Sequence, residues 1–279
     1  MDYGHPVRFG VFVTPAAPRP EQPLTVAVLA DELGFDLVGV QDHPYQHRFL
    51  DTWTLLTAMA MRTTRVHVFP DVANLPLRPP AILAKAAATL DLLSGGRLEL
   101  GLGAGGSFEA INAIGGPMLT RGESVEALEE AIQVIRLMWS GERGVRFEGK
   151  HYQLAGVHTG PAPAHPIGIW LGAYKPRMLS LVGRAADGWV PSLGYVQPAD
   201  LLEGNRRIDD AAGAAGRDPR SIRRILNAGA DVPTEQFTAL TLEHGMDTFV
   251  IGGLEDPEAL RWFASDVMPA VREAVAKAR

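Results

Sequence analysis

The chain alternates between short apolar runs and longer amphipathic segments over most of its length. Short runs rich in β-branched residues are typical of buried parallel strands, and apolar residues spaced three or four positions apart predict helices that cover them. The strand pattern occurs at residues 7–13, 36–41, 66–69, 97–101, 167–171, 188–190, 222–228 and 248–251. Helical spacing follows each strand, at residues 24–33, 51–62, 81–93, 121–139, 175–185, 198–215, 234–244 and 257–278.

The clearest repeat lies between residues 66 and 106, where two strands flank one alanine-rich helix. Pro79 and Pro80 fall at the first turn of that helix, where proline is tolerated, and Gly95 and Gly96 end it. A parallel strand-helix-strand unit is right-handed in nearly all known proteins. Eight such repeats favour one domain, residues 1–279, folded as a closed (β/α)8 TIM barrel, because open doubly wound sheets usually have about five or six strands.

The alternation fails between about residues 140 and 166, after the fourth strand-helix unit. Residues 144–154 have the pattern of a small hairpin, and residues 156–166 have the composition of an extended surface segment. We interpret this part as an insertion within the single domain rather than as a linker between domains.

Composition and charge narrow the class of protein. Hydrophobic residues make up 46% of the chain, enough for a large core, and the absence of cysteine excludes disulfides and thiolate zinc sites. No basic segment followed by an apolar run opens the chain, and no apolar stretch approaches the ~18 residues of a membrane span. We therefore expect a soluble, cytoplasmic protein. The net charge of −6, with mixed signs along the chain, argues against nucleic acid as a partner.

The loops after the strands carry the candidate chemistry, because active sites of such barrels lie at the C-terminal ends of the strands. His43, after strand 2, can titrate near neutral pH, and the small residues after strand 4 would let a flat ligand lie close. After strand 5, Lys175 and Arg177 stand at a helix start, where free amides favour anions. These features predict a planar ligand with an anionic tail. The loop residues are Asp42, His43, Asp71, Val72, Ala73, Asn74, Ala104, Gly105, Gly106, Gly172, Ala173, Tyr174, Lys175, Pro191 and Ser192.

Three separated motifs resemble the luciferase-like monooxygenase superfamily of flavin- and deazaflavin-dependent oxidoreductases. They are the Asp42-His43 pair, the run NLPLRPPAILAKAAATLDLLSGGRLELGLGAG and the run LGAYKPRMLSLVGRAADGWVPS. The resemblance covers almost the whole chain and implies a TIM barrel that binds coenzyme F420 or FMN at its mouth. It also implies a non-proline cis peptide bond at Asp71–Val72, which bends the cofactor ring.

The resemblance assigns roles to individual positions. Asp42 and His43 match the pair beside the ring in the deazaflavin enzymes, and Gly105 and Gly106 match a loop that contacts the ring. Asp71, Val72, Ala73, Asn74 and Ala104 complete the expected ring site, and the expected phosphate-binding residues are Gly172, Ala173, Tyr174, Lys175, Arg177 and Pro191.

Two positions depart from the pattern of the superfamily. Its sugar-phosphate dehydrogenases carry a glutamate acid where this chain has Gly106, so that activity is not expected here. A small residue is common at the position of Asp71, and a carboxylate there would change proton transfer or the local potential.

The resulting expectation is an enzyme that transfers a hydride between F420 and a small organic substrate. His43 would donate or accept the proton, or orient the substrate, and Asp42 would hold its tautomer. The main alternative is an FMN-dependent two-component monooxygenase that takes reduced flavin from a separate reductase and uses O2. A non-catalytic flavin-binding homologue is a third alternative. A Schiff-base aldolase is disfavoured, because Lys175 is the lysine near the mouth and lies in the phosphate loop.

Two motifs also have simpler interpretations. His43 and His47 are spaced like a metal pair, but Pro44 disfavours a helix between them and no third ligand is evident, so no metal site is predicted. The Gly-x-Gly-x-Gly of residues 101–105 lacks a clear ribose-binding acid ~20 residues later, which favours a tight barrel loop over a dinucleotide site.

The expected partners follow from the resemblance. They are a second copy of the chain, docked through the helices after strands 2 and 3, and a separate F420 or flavin reductase. The substrate pocket is expected between residues 14–23, 45–50, 107–120 and the insertion.

Overall fold

The computed structural model describes residues 1–279. Its strands are β1 (Arg8–Val13), β2 (Leu37–Val40), β3 (His67–Pro70), β4 (Ala73–Asn74), β5 (Leu100–Gly103), β6 (Val145–Glu148), β7 (Gln153–Val157), β8 (Ile169–Leu171), β9 (Gly188–Trp189), β10 (Arg223–Gly229) and β11 (Thr248–Gly252). Nine of them form one parallel sheet in the order β3-β2-β1-β11-β10-β9-β8-β5-β4.

The sheet closes into a barrel where its two ends meet. Val68 forms a parallel bridge with Leu98, and the Glu99 amide donates to the Val68 carbonyl at 3.1 Å. Strand β4 continues the line of β3 and pairs with β5. The nine strands therefore occupy eight positions around the barrel, and the predicted (β/α)8 TIM barrel is confirmed. We call the junction of residues 67–70 with residues 97–100 the seam.

Helices cover the outside of the sheet. They are α1 (Glu21–Leu33), α2 (Thr52–Arg62), α3 (Pro80–Ser94), α4 (Phe108–Ala113), α5 (Arg121–Trp139), α6 (Pro176–Ala185), α7 (Pro198–Ala214), α8 (Thr234–Leu242), α9 (Pro257–Trp262) and α10 (Met268–Ala278). Helix α5 has the predicted bounds, and a π-helical turn at Phe263–Val267 joins α9 to α10 within the predicted last helix. None of these helices combines the length and the apolar composition needed to span a membrane.

Local sequence determines where several helices begin and end. Asp51 caps α2, as predicted, by accepting a hydrogen bond from the Thr54 amide at 2.9 Å. Gly95 ends α3 with a φ of 71°, in the left-handed region that favours glycine. The expected start of α1 at residue 24 is wrong. The helix begins at Glu21, because Pro23 lies in its first turn, where a missing N–H leaves no hydrogen bond unmade.

The core has an inner and an outer part. Inside the barrel, Phe69 and Trp170 pack edge to face with ring centroids 5.2 Å apart, together with Leu37, Ile225 and Val250. A larger cluster of 60 buried residues fills the layer between strands and helices. Because the interior is filled by side chains, ligands have access at the ends of the barrel.

The insertion contains the predicted hairpin, in which β6 and β7 pair antiparallel. Val145 and Leu154 pack against Val134 of α5. The carboxylate of Glu130, also on α5, accepts hydrogen bonds from the amides of the hairpin turn, including that of His151 at 2.8 Å. Apolar contact and amide capping together fix the hairpin on α5.

Candidate functional site

The predicted site residues lie together at the C-terminal end of the barrel. Asp42 and His43 follow β2, residues 71–72 separate β3 from β4, and residues 104–106 follow β5. Residues 172–175 connect β8 to α6, and Pro191 follows β9. Because the strands are parallel, these five loops open at one end of the barrel, which we call the mouth.

The peptide bond between Asp71 and Val72 is cis, as the resemblance implied. Val72 packs against glycines of the neighbouring strands, since a Cβ atom on Gly103 would lie 2.7 Å from its side chain. A Cβ atom on Gly101 would collide with the carbonyl of Pro70. The glycines of this run are therefore required by close strand packing, which agrees with a tight barrel loop rather than a dinucleotide site.

Asp42 holds the loop at β4 in place. Its carboxylate is buried and forms a two-point ion pair with Arg78, with both N–O distances 2.7 Å. It also accepts a hydrogen bond from the Asn74 amide at 2.9 Å. Arg78 donates in addition to Asp51, the cap of α2, at 2.8 Å. These contacts fasten the segment after β3 to the end of β2 and the start of α2.

His43 stands exposed at the mouth. Its Nδ1 lies 2.8 Å from the Tyr45 hydroxyl, while Nε2 has no protein partner. Partial burial of the ring lowers the pKa of His43 below its ordinary 6.5, and the Asp42 carboxylate opposes this effect. The ring is therefore mainly neutral at pH 7. The predicted role of Asp42 in holding the tautomer is wrong, because Arg78 occupies its oxygens and Tyr45 contacts the ring.

A hydrogen-bonded chain of polar side chains crosses the mouth from Asp71. Asn227 of β10 donates to Asp71 Oδ1 at 3.2 Å and also approaches Ser192 Oγ at 3.2 Å. The Tyr174 hydroxyl donates to the same Ser192 oxygen at 3.4 Å. Burial raises the pKa of Asp71 to about 7, with the Asn227 contact opposing the shift. Asp71 is thus a buried acid that can bind or release a proton near neutral pH.

The sequence assigned no role to Arg78 or Asn227 of this site, and placed Tyr45 only in the expected wall of the substrate pocket. Arg78 lies in the motif that begins at Asn74, directly before Pro79, but the neighbouring sequence does not show that its side chain reaches Asp42. Asn227 is a polar residue near the C-terminal end of an apolar strand, and that position is typical of active-site residues in such barrels. Tyr45 lies two residues after His43, in a loop whose path is not readable from the sequence.

The start of α6 supplies the cationic part of the mouth. Lys175 is exposed at the N-cap and forms no ion pair, so its amine is free for an anion. Arg177 instead pairs with Glu126 of α5 at 3.5 Å, which neutralises part of its charge. Ala173 is buried beneath this turn, where its carbonyl accepts from the Trp189 indole at 2.8 Å. Lys175 and the free amides of the first helical turn fit a phosphate group.

Three buried oxygens at the mouth lack a hydrogen-bond donor, namely Asp71 Oδ2, Asn74 Oδ1 and Asn227 Oδ1. Unpaired buried acceptors are rare in folded proteins, so a group of them calls for an explanation. They fit a ligand that brings N–H and O–H donors, as a flavin or deazaflavin with a hydroxylated side chain does. A Cβ atom at Gly106 would meet nothing within 4 Å, so the loop after β5 leaves open space at that position.

A cavity of about 320 Å³ lies at the C-terminal end of β1, and one of about 290 Å³ lies between α1 and α9. Arg19 and Glu255 line both of them. Thr14 lines the larger one and accepts a hydrogen bond from Gln41, the residue before Asp42, at 3.2 Å. Neither cavity includes a predicted cofactor-binding residue, but both include part of the segment 14–23 that was expected to wall the substrate pocket.

Comparison with known proteins places the chain in a family. The model of the luciferase-like monooxygenase family matches residues 1–233. A protein of Nakamurella multipartita named F420-dependent glucose-6-phosphate dehydrogenase is 34% identical over 273 residues, which cover 94% of this chain and 80% of that protein.

Two solved structures share the fold. An F420-dependent secondary alcohol dehydrogenase in complex with an F420-acetone adduct has a TM-score of 0.83 at 20% identity, covering 96% of this chain and 99% of its own. The oxygenating constituent of 3,6-diketocamphane monooxygenase from Pseudomonas putida, in complex with FMN, has a TM-score of 0.77 at 18% identity, covering 95% and 99%. With a family model matched over most of its length and a relative above 30% identity, the chain belongs to the luciferase-like monooxygenase family.

Proposed function

We propose that this protein is an oxidoreductase that transfers a hydride between coenzyme F420 and a small organic substrate. The observation that carries the proposal is His43, a mainly neutral histidine at the mouth whose Nε2 has no protein partner. The relative and the solved alcohol dehydrogenase that are named for F420 support this cofactor.

The residues of the mouth would hold F420 at two ends. Lys175 and the free amides of α6 would bind its phosphate. The unpaired oxygens of Asp71, Asn74 and Asn227 would accept hydrogen bonds from its N–H and hydroxyl groups. When bound, F420 supplies the carbon centre that gives or takes the hydride.

His43 would handle the proton that accompanies the hydride. Reduction of a carbonyl or an imine adds a proton as well as a hydride, and the reverse reaction removes both. A neutral His43 can accept that proton at Nε2 from an alcohol, and its protonated form can return it. With Nε2 free to accept the proton, Nδ1 carries the hydrogen, so the Tyr45 oxygen would accept from Nδ1–H in both the neutral and the protonated state.

The substrate would differ from that of the Nakamurella relative. By resemblance, sugar-phosphate dehydrogenases of the superfamily place a glutamate acid where this chain has Gly106, which offers no acid and no side chain. A small alcohol, ketone, imine or enone needs no such group, because His43 would supply the proton. The cavities beside Thr14 and Arg19 support a substrate entering from the side of α1.

The second candidate is an FMN-dependent monooxygenase. The FMN-bound fold neighbour supports it, and the phosphate site of α6 would serve either cofactor. This function would require reduced flavin from a separate reductase. Under either proposal the active species would be a homodimer in the cytoplasm, joined through α2 and α3.

A parallel titration of the purified protein with F420 and FMN tests the choice of cofactor. Cofactor fluorescence gives the two dissociation constants, and the reoxidation of reduced F420 is then followed with a panel of small ketones, imines and enones. We expect F420 to bind at least tenfold more tightly than FMN, and turnover to require His43. The matched control is His47→Ala, because His47 is also exposed and its side chain forms no hydrogen bond or ion pair.

The outcomes separate the candidates. Tighter binding of FMN, with oxygen uptake on addition of reduced FMN, would replace the first proposal with the second. Binding of F420 without hydride exchange by any substrate of the panel would favour a non-catalytic cofactor carrier. Binding of neither cofactor would remove both proposals.

A further inference from the structure

Three metal-ligating side chains converge at the end of the barrel opposite the mouth. His67 is the first residue of β3, Glu99 directly precedes β5, and His165 precedes β8. His67 Nδ1 and His165 Nε2 each lie 3.7 Å from Glu99 Oε1. The three ligand atoms all lie within 4.8 Å of one another.

Two of the imidazole nitrogens in this cluster, His67 Nδ1 and His165 Nε2, are buried and have no hydrogen-bond partner. The other nitrogen of His165, Nδ1, lies 2.8 Å from the carboxylate of Asp91, which is fully buried. When the neutral ring carries its proton on Nδ1, Nε2 is unprotonated and its lone pair faces Glu99. A carboxylate that orients the far nitrogen of a histidine in this way is the usual support of a metal-binding histidine.

A backbone amide orients Glu99, as Asp91 orients His165. Its Oε2 accepts a hydrogen bond from the Gly168 amide at 2.8 Å, which leaves Oε1 facing the two histidines. When His165 carries its proton on Nδ1 alone, the cluster presents three acceptor atoms to one point. Distances of 3.7 Å are too long for hydrogen bonds. They are close to the ~3.4 Å expected between two ligand atoms of a tetrahedral zinc ion, given bond lengths of ~2.1 Å.

We propose that His67, Glu99 and His165 form a binding site for a divalent transition-metal ion of the zinc type. Two imidazoles and one carboxylate favour Zn²⁺, Co²⁺ or Ni²⁺ over Ca²⁺ and Mg²⁺, which prefer oxygen ligands. The side chains remain 32%, 12% and 25% exposed for His67, Glu99 and His165, so water can reach the ion as a fourth ligand.

The location of the cluster indicates a structural role. His67 and Glu99 are the neighbours in sequence of Val68 and Leu98, the pair that bridges the seam. An ion bound here would link both sides of the seam to the segment before β8. Residues at the N-terminal face of such barrels contribute to stability rather than to chemistry, and the mouth is at the other end. The sequence-based expectation of no metal site considered only the His43 and His47 pair.

Isothermal titration of the chelator-treated, full-length protein with Zn²⁺ at pH 7.5 tests the proposal without any cofactor. We expect one bound ion per chain and a melting temperature raised by ~5 °C at a hundredfold excess over Kd. Co²⁺ bound at the same site would give a visible d–d absorption band. The variants His67→Gln and His165→Gln should each weaken binding at least tenfold. His158→Gln is the control, because His158 is exposed outside the cluster and should leave binding unchanged.

Binding below 0.1 ion per chain, or an affinity in the His67→Gln and His165→Gln variants equal to that of the wild type, would overturn the proposal. If a histidine variant fails to fold, Glu99→Gln serves in its place, since it keeps an acceptor for the Gly168 amide while removing the charge. Folding of every variant is checked by circular dichroism before titration.

Discussion

Asp71 Oδ1 accepts a hydrogen bond from Asn227 Nδ2 at 3.2 Å across the mouth of the barrel, while Asp71 Oδ2 has no partner. The contact joins the segment after β3 to β10, nearly opposite in the barrel order. One neutral donor stabilises a buried carboxylate only weakly, so burial dominates and raises the pKa of Asp71 to about 7. The mouth therefore contains an acid whose charge changes near neutral pH.

The first prediction concerns stability against pH. The pKa of Asp71 is raised from 3.8 in the unfolded chain to about 7 in the folded one, so ionisation favours unfolding. The loss of stability begins above pH 3.8 and is complete above pH 7, where it reaches about 4 kcal/mol at ~1.4 kcal/mol per pKa unit. Between pH 5 and pH 8 the free energy of unfolding of the wild type should fall by about 2–3 kcal/mol because of Asp71. The Asp71→Asn variant should not show this decrease. Urea denaturation at several pH values measures both; parallel curves for the two proteins would contradict the prediction.

The second prediction concerns the ion pair of Asp42 and Arg78. Asp42 is buried, so Arg78→Gln leaves a carboxylate without its partner and should destabilise the protein by about 3 kcal/mol. The double variant Asp42→Asn with Arg78→Gln should recover part of this loss, because no buried charge remains. Arg184→Gln removes the exposed pair with Glu129 and should cost under about 1 kcal/mol. Equal losses in Arg78→Gln and Arg184→Gln would show that burial of Asp42 does not matter.

The general architecture was predictable from sequence because it depends on periodicity. Buried strands of a parallel barrel are continuous apolar runs, so their number and order could be counted, and α5 even had its correct bounds. Errors arose where one residue changes a boundary. The helix predicted from residue 24 excluded Pro23, but a proline in the first turn is compatible with a helix.

The candidate site was predictable only in its location. Position after a strand places His43, Asp71 and Lys175 at the mouth, but it does not give the partner of a side chain. Asp42 was expected to contact its neighbour His43, whereas Arg78 approaches it from a different loop. Such long-range pairs depend on the packing of several loops, and local pattern contains no information about it. The cluster of His67, Glu99 and His165 was not predicted for the same reason, because these residues are distant in sequence and meet only in the folded barrel.

The third prediction concerns the anion site. Lys175→Ala should weaken binding of F420 or FMN about tenfold, because it removes the free cation at the start of α6. It should not change binding of the same ring systems without phosphate, such as riboflavin. Arg177→Ala should have a smaller effect, since Arg177 is already paired with Glu126. Lys277→Ala, at an exposed position of α10, controls for net charge. Equal losses for FMN and riboflavin would place the role of Lys175 away from the phosphate.

The fourth prediction concerns His43 and the pH dependence of turnover. In the direction of substrate oxidation the neutral ring would act as the base. Because the folded pKa of His43 is lowered below 6.5, kcat/KM should be constant above this pKa and fall as pH decreases below it. His43→Ala should reduce kcat/KM by ~10²–10⁴-fold and remove this acidic limb. His47→Ala should keep the kcat/KM of the wild type and its acidic limb.

Tyr45→Phe tests the same mechanism through a positioning residue. Tyr45 contacts His43 Nδ1 at 2.8 Å, so its loss should lower kcat by ~10-fold and displace the acidic limb without abolishing it. A purely structural role for Tyr45 would lower stability and leave the limb in place. Cofactor affinity should be unchanged in Tyr45→Phe, because the hydroxyl acts through the imidazole. An unaltered pH profile in both His43→Ala and Tyr45→Phe would assign the proton to another group, and Asp71, with its pKa of about 7, is the next acid at the mouth.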